Sequence, residues 1–341
     1  MTTAAARSAG DFLIGLAEQV GSGSTPESLR SVLERACGGR LDAAGPDGRR
    51  SSGLTLSGTP FEASLTGGRG RCAPVIRYVT ETTTWEPTFT VRFEAFLAAV
   101  AELVTWLPGG NESVTEQLHS FIATLYPAPG SIEPSRRPAL WLGIVHHPAQ
   151  PDHLAGLKVY CNSGAIHDAI EIASRRWPDF RELSPVPLDE RLLRCAGIAL
   201  EVDAQGGWKH KIYLRASARD AAVPMKLIRY FGEAAWEPLA ELVRCGTNAA
   251  HLHNYDYFVC CNRRDGGSPS YTVTVMAGRR DDHTGLIREL ASRHHGTTHA
   301  VDAMAQAAQA CGAMWRYSAV GLGFSPDYGI DKLNVYGAPS W

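Results

Sequence analysis

Trp208-Lys209-His210-Lys211-Ile212-Tyr213-Leu214-Arg215 is the stretch on which the reading of this chain turns. Side chains alternate across a β-strand, so as a strand it sets Lys209, Lys211 and Tyr213 on one face and His210, Ile212 and Leu214 on the other. Two ammonium groups and a phenol on one face suit an anion. Taken alone, the stretch fits an exposed basic strand face equally well, and what separates the two readings is recurrence.

Lys158/Tyr160, Lys211/Tyr213, Thr272/Thr274 and Asn334/Tyr336 are successive pairs at i and i+2, 53 to 62 residues apart, with Arg77/Val79 in the equivalent place upstream. Each falls on the second strand of an expected hairpin, at about 53–82, 139–162, 193–216, 252–277 and 314–338. Helical spacing of apolar residues fills 11–37 (broken at Gly21 to Thr25), 90–107, 112–126, 164–177, 224–245 and most of 284–311. The unit helix, strand, strand, helix repeats, and repetition on this scale sets architecture. Five polar strand faces converge only inside a ring. The expectation is an α+β fold: one domain over 1–341, a closed ten-stranded antiparallel barrel with helices outside and a lumen able to hold a ligand. Strands that come in hairpins exclude a parallel barrel.

Composition limits the alternatives. A chain of 341 residues, 44% hydrophobic and 20% charged, has enough apolar sequence for a large core. With 33 basic and 35 acidic side chains, no overall field favours nucleic acid or an anionic membrane, so an anion must be met by a local cluster. No apolar run approaches the ~18 residues of a membrane span. Eight scattered cysteines without a signal peptide point to reduced thiols and a cytoplasmic location.

Several chemistries are argued against. Asp281-Asp282 has no third carboxylate at the spacing of a magnesium-binding aspartate-rich motif. His251 and His253, expected on one strand face near Cys260 and Cys261, form no zinc motif, because adjacent cysteines on a strand point to opposite sides. Gly321-Leu-Gly323 precedes no helix and so is not a dinucleotide fingerprint. His146-His147 and His294-His295 read as loop or element-end residues, and Arg136-Arg137 and Arg279-Arg280 as solvated pairs. Tyr78, opposite in face to Arg77, reads as helix-packing core.

From about Ser52 to Tyr336 the chain resembles the aromatic prenyltransferases of the αββα-barrel type, in particular the bacterial dimethylallyl-tryptophan synthase-like indole prenyltransferases. The most specific part is Leu54-Thr-Leu-Ser-Gly-Thr-Pro-Phe-Glu-Ala-Ser64, followed by Val75-Ile-Arg77 and Glu81. The resemblance implies that Glu62 holds the indole N–H and takes up its proton. It implies a diphosphate site of Arg77, Lys158, Lys209, Lys211, Lys332 and Asn334, and an allyl-cation shield of Tyr160, Tyr213 and Tyr336. Thr272 and Thr274 depart from the family pattern, which implies a wider or differently shaped pocket. Trp315 and Tyr317, on one strand face, together with Thr272 and Thr274, are candidates for the acceptor pocket.

The implied reaction moves a dimethylallyl group from dimethylallyl diphosphate to tryptophan or a related indole by Friedel-Crafts alkylation, in secondary metabolism such as alkaloid biosynthesis. Converging cations stabilise the departing diphosphate, so no metal is expected and magnesium is not obligatory. Tyrosine faces offer a cation about 0.5–2 kcal/mol each and exclude water. The expected partners are the prenyl diphosphate and a small aromatic acceptor, with no nucleic acid or membrane, in a monomer or homodimer. Alternatives are a tyrosine or other phenol acceptor, a tryptophan within a cyclic dipeptide or peptide, or a non-catalytic small-molecule carrier.

Overall fold

The computed structural model describes every residue except 1, 43, 46–47, 49–51, 83–85, 87, 133–138, 163–167, 247–251, 279–280 and 327–328. His251 and the two arginine pairs at 136–137 and 279–280 therefore lie outside the described residues, as does the expected helix start at Gly164.

Five hairpin units make one antiparallel sheet. The first comprises β1 (Phe61–Gly68), the two-residue β2 (Arg71–Cys72) and β3 (Arg77–Glu81). Then come β4 (Leu140–His146) with β5 (Leu154–Asn162), β6 (Leu193–Asp203) with β7 (Trp208–Ala216), β8 (Asp256–Arg264) with β9 (Ser270–Met276), and β10 (Met314–Ser325) with β11 (Gly329–Ser340). β1 pairs with β3, from β3 onward each strand pairs with the next, and β11 returns to β1, Ser64 opposite Tyr336. Since β2 pairs only with β1, ten strands form the closed ring. A closed ring leaves none of its strands as an edge.

Alternation divides each strand. On β7, His210, Ile212 and Leu214 are buried outward, beneath the helices, while Lys211 and Tyr213 line a central cavity. The same outward face carries Leu142, Ile144, Leu157, Val159, Val259, Val273, Leu333 and Val335, all at most 1% exposed. Burying such side chains is worth about 1.5–3 kcal/mol each, which is what holds helix layer to barrel. Tyr78 belongs to this layer, its ring 5.6 Å from Phe61 and 5.8 Å from His146.

The helices are α1 (Ala4–Val20), α2 (Pro26–Cys37), α3 (Phe89–Val104), α4 (Glu112–Leu125), α5 (Ala169–Ser174), α6 (Asp179–Leu183), α7 (Ala222–Phe231), α8 (Trp236–Cys245), α9 (Thr284–His294) and α10 (His299–Ala310). Among the described residues none is long and apolar enough to cross a membrane. The first begins ahead of its apolar pattern because Thr3 caps it and alanine-rich sequence favours helix. The expected helices at 224–245 and 284–311 are each interrupted at a glycine of positive φ, Gly232 (76°) and Gly296 (77°). The strand expected from Leu252 begins at Asp256, and His253 lies in a 3-10 turn ahead of it rather than on a strand face. β1 begins at Phe61 rather than Gly53, after Pro60.

The lumen has room because small residues stand opposite long ones. Gly143 faces Lys158, Ala199 faces both Tyr160 and Lys211, and Gly321 faces Thr274 and Asn334. A Cβ at Gly143 would stand 3.0 Å from a Tyr160 ring carbon, and one at Gly321 would stand 2.7 Å from Thr274 Oγ1. The glycines thus let the working side chains lie across the neighbouring strand.

Candidate active site

A cavity of about 270 Å³ occupies the barrel. Arg77, Lys158, Lys211 and Lys332 line it from four different strands. Two of these, Lys158 and Lys211, are held by a carboxylate not singled out from the sequence. Glu201 on β6 lies directly opposite Lys158 on one side and Lys209 on the other. Its oxygens are 3.0 Å from Lys158 Nζ, 2.6 Å from Lys211 Nζ and 3.2 Å from Lys209 Nζ. Burial acts to raise its pKa, but Lys158, Lys211 and Lys209 outweigh it and hold the group well below the usual carboxylate range. The hairpin turn that places Glu201 across from Lys209 was the available signal.

Arg77 and Lys332 have no ion-pair partner among the described residues. Burial, then the charges of Lys211 and Arg77, bring Lys332 down to about 8. Burial likewise lowers Lys211, against the pull of Glu201. Such a lumen is electrostatically unsatisfied, and a polyanion relieves it. Asn334 accepts a 2.7 Å bond from Thr66 Oγ1 and lines the same region. Lys209 is the exception: it pairs with Glu201 but does not line the cavity.

Beside the cations stands an aromatic wall. Tyr160 and Tyr213 lie with ring centroids 5.5 Å apart and 34° between planes, and Tyr213 meets Phe258 at 5.6 Å and 31°. Trp141 closes the other flank edge-on to Tyr160 at 6.4 Å. Lys158 donates to the Tyr160 hydroxyl at 3.2 Å. Burial pushes Tyr160 up to about 12 and raises Tyr213 well above the ordinary phenol range, so both remain neutral phenols. Glu81, buried and paired with Arg92, accepts from Trp141 Nε1 at 3.2 Å and fixes the indole plane. Tyr336, Thr272 and Thr274 complete the lining. Trp141 and Phe258 escaped the sequence reading because they sit on strands without the Lys-x-Tyr pair.

Glu62 opens into the same cavity from β1. Burial raises its pKa to about 7, and the hydroxyl of Ser318, donating at 2.5 Å, restrains the rise. A carboxyl poised near neutrality is suited to accepting a proton.

Trp315 and Tyr317 are not in the pocket. Trp315 stacks on Phe12 of α1 at 5.3 Å, and Tyr317 donates to the Val301 carbonyl of α10 at 2.8 Å. A register shift between Tyr317 and Ala319 changes the parity of β10, so Trp315 and Tyr317 face the helices whereas Ser318 and Ala319 address the lumen. Period-2 reading carried across a bulge assigns the wrong face. Of the cysteine pair, Cys260 lines the cavity and Cys261 is buried outside it.

The sequence matches no family model and no curated protein. Solved structures do match. Prenyltransferase PriB, in a ternary complex with L-tryptophan and dimethylallyl thiolodiphosphate, superimposes with a TM-score of 0.72 at 20% identity, covering 97% of this chain and 95% of that one. A 5-dimethylallyl tryptophan synthase from Streptomyces coelicolor, in complex with DMASPP and Trp, gives 0.69 at 17% identity over 99% and 96%. A 6-dimethylallyltryptophan synthase from Micromonospora olivasterospora gives 0.69 at 18% identity over 96% and 95%. At these identities the likeness establishes the shared barrel.

Proposed function

We infer that the chain is an aromatic prenyltransferase that transfers a dimethylallyl group from its diphosphate to tryptophan or a related indole. The observation that carries this reading is the joining, in one lumen, of four cations with a single shared carboxylate among them, a wall of tilted and edge-on aromatic rings, and a carboxyl poised near neutrality. The solved neighbours crystallised with tryptophan and dimethylallyl diphosphate analogues support it.

In this mechanism Arg77, Lys158, Lys211 and Lys332 bind the diphosphate, with Lys209 acting through Glu201. The allylic C–O bond breaks heterolytically, its electron pair leaves with the diphosphate, and the cations stabilise the charge that grows there. Tyr160, Tyr213 and Tyr336 present their faces to the allyl cation and keep water out. Glu62 accepts a hydrogen bond from the indole N–H, which raises the electron density of the ring. The ring's π electrons form the new C–C bond, and the proton lost on rearomatisation passes toward Glu62. The cationic groups supply the charge compensation, so the step is written without a metal.

The test is incubation with dimethylallyl diphosphate and a panel of indoles and phenols in EDTA, followed by mass spectrometry. The proposal expects one added isoprene unit on an indole. Gain only on phenols moves the acceptor to that class, and binding without turnover on any acceptor indicates a carrier.

The Ser318 contact gives a sharper expectation. Glu62 must be ionised to act, so kcat/KM for the acceptor should rise with pH along a limb centred near 7 and level off above it. Removing the hydrogen bond that restrains the shift should move this limb to higher pH. A pH profile of Ser318→Ala that superimposes on wild type would separate Glu62 from the limb.

A further inference from the structure

We propose that Asp179, His210 and Asp265 form a binding site for one divalent transition-metal ion on the outer wall of the barrel, remote from the chemistry of the lumen. Asp179 opens α6, His210 is on the outward face of β7, and Asp265 follows the end of β8. His210 Nδ1 lies 3.6 Å from Asp179 Oδ2 and 3.5 Å from Asp265 Oδ1. One donor atom from each of the three residues falls within 4.8 Å of the other two.

The imidazole is the second, independent pointer to a ligand. His210 is 4% exposed, and neither ring nitrogen has a hydrogen-bond partner among the described residues. With its proton on Nδ1, the ring stands too far from either carboxylate for a good bond. With its proton on Nε2, it turns a lone pair toward two anions. A cation between the three groups removes the conflict, since it is ligated by the neutral imidazole and by both carboxylates.

The dimensions agree. Bonds of about 2.1 Å to a tetrahedral ion set its ligand atoms ~3.4 Å apart, within a few tenths of an ångström of the two nitrogen–oxygen separations. Asp179 and Asp265 are partly open to solvent, so water can complete the shell. Arg263 Nη1 is 3.9 Å from Asp179, yet it also meets Glu182 at 3.3 Å, leaving the two aspartates to balance a divalent charge. One nitrogen and two carboxylate donors suit zinc or manganese better than calcium, which takes oxygen alone.

Bound there, the ion ties α6 to β7 and to the end of β8. Its effect is on stability, because the side chains that line the lumen occupy the opposite face of β7. Chelator-stripped, reduced full-length protein titrated with Zn²⁺ should show one saturable site. Asp265→Asn, a surface change that leaves the core intact, should weaken it by ~10-fold or more. Loading with Co²⁺ should produce a visible ligand-field band that is absent from Asp265→Asn. EDTA should lower the melting temperature of metal-loaded wild type and leave that of the variant unchanged. Superimposable zinc isotherms for wild type and Asp265→Asn, or no saturable binding by wild type, overturn the proposal. His210→Ala serves as a second variant, with circular dichroism establishing that it has folded.

Discussion

Glu62→Gln should lower kcat for indole prenylation by about 10²–10³-fold while changing the dissociation constant of a diphosphate analogue by less than a factor of ~2, by analogy with other general bases. The amide keeps the shape of the side chain and its contact with Ser318. It cannot take up the proton that the ring must lose, and it is a weaker acceptor for the indole N–H. In the proposed mechanism donor binding rests on Arg77 and the lysines, and among the described residues Glu62 bonds to Ser318 rather than to any of them. Steady-state kinetics together with calorimetric titration separates the two effects. Equal loss of turnover and donor affinity would remove the assigned role.

Glu201→Gln should destabilise the ligand-free protein by about 3–5 kcal/mol, the usual cost of removing one partner from a buried charge cluster. The loss leaves Lys158, Lys209 and Lys211 facing one another without their shared anion. Added inorganic diphosphate should raise the melting temperature of this variant more than that of wild type, because the ligand replaces the missing charge. The pH dependence follows from the depressed pKa of Glu201. A carboxyl held below its unfolded value contributes stability that is fully present above the unfolded value and is lost as pH falls through the folded one. The difference between variant and wild type should therefore be greatest at neutral pH and shrink in acid. Equal melting temperatures at pH 7, with and without diphosphate, would show that Glu201 does not organise the lysines.

The barrel was legible because its repeat is written in side chains that must face inward. Lys158/Tyr160, Lys211/Tyr213 and Asn334/Tyr336 all line the cavity. What stayed hidden depends on pairing across strands rather than along them. Glu201 looks like any strand carboxylate until the register sets it between two lysines. Gly143 and Gly321 carry no chemistry of their own, yet they make the space over which Tyr160 and Thr274 lie. The misplacement of Trp315 and Tyr317 has one cause, the bulge before Ala319, which periodicity cannot announce. Two long helices were overrun for a similar reason: Gly232 and Gly296 break them through backbone conformation while the apolar spacing continues.

The thermodynamic division of the lumen follows from these contacts. In the proposed mechanism, donor affinity depends on the excess of cationic charge over Glu201, and rate depends on Glu62 and the aromatic wall. The most direct test is electron density from crystals grown with tryptophan and dimethylallyl thiolodiphosphate. The account predicts the diphosphate against Arg77, Lys158, Lys211 and Lys332, the allyl tail across Tyr160 and Tyr213, and the indole N–H on the Glu62 carboxylate. A diphosphate bound outside the lumen, or an indole whose N–H is directed away from Glu62, would contradict it.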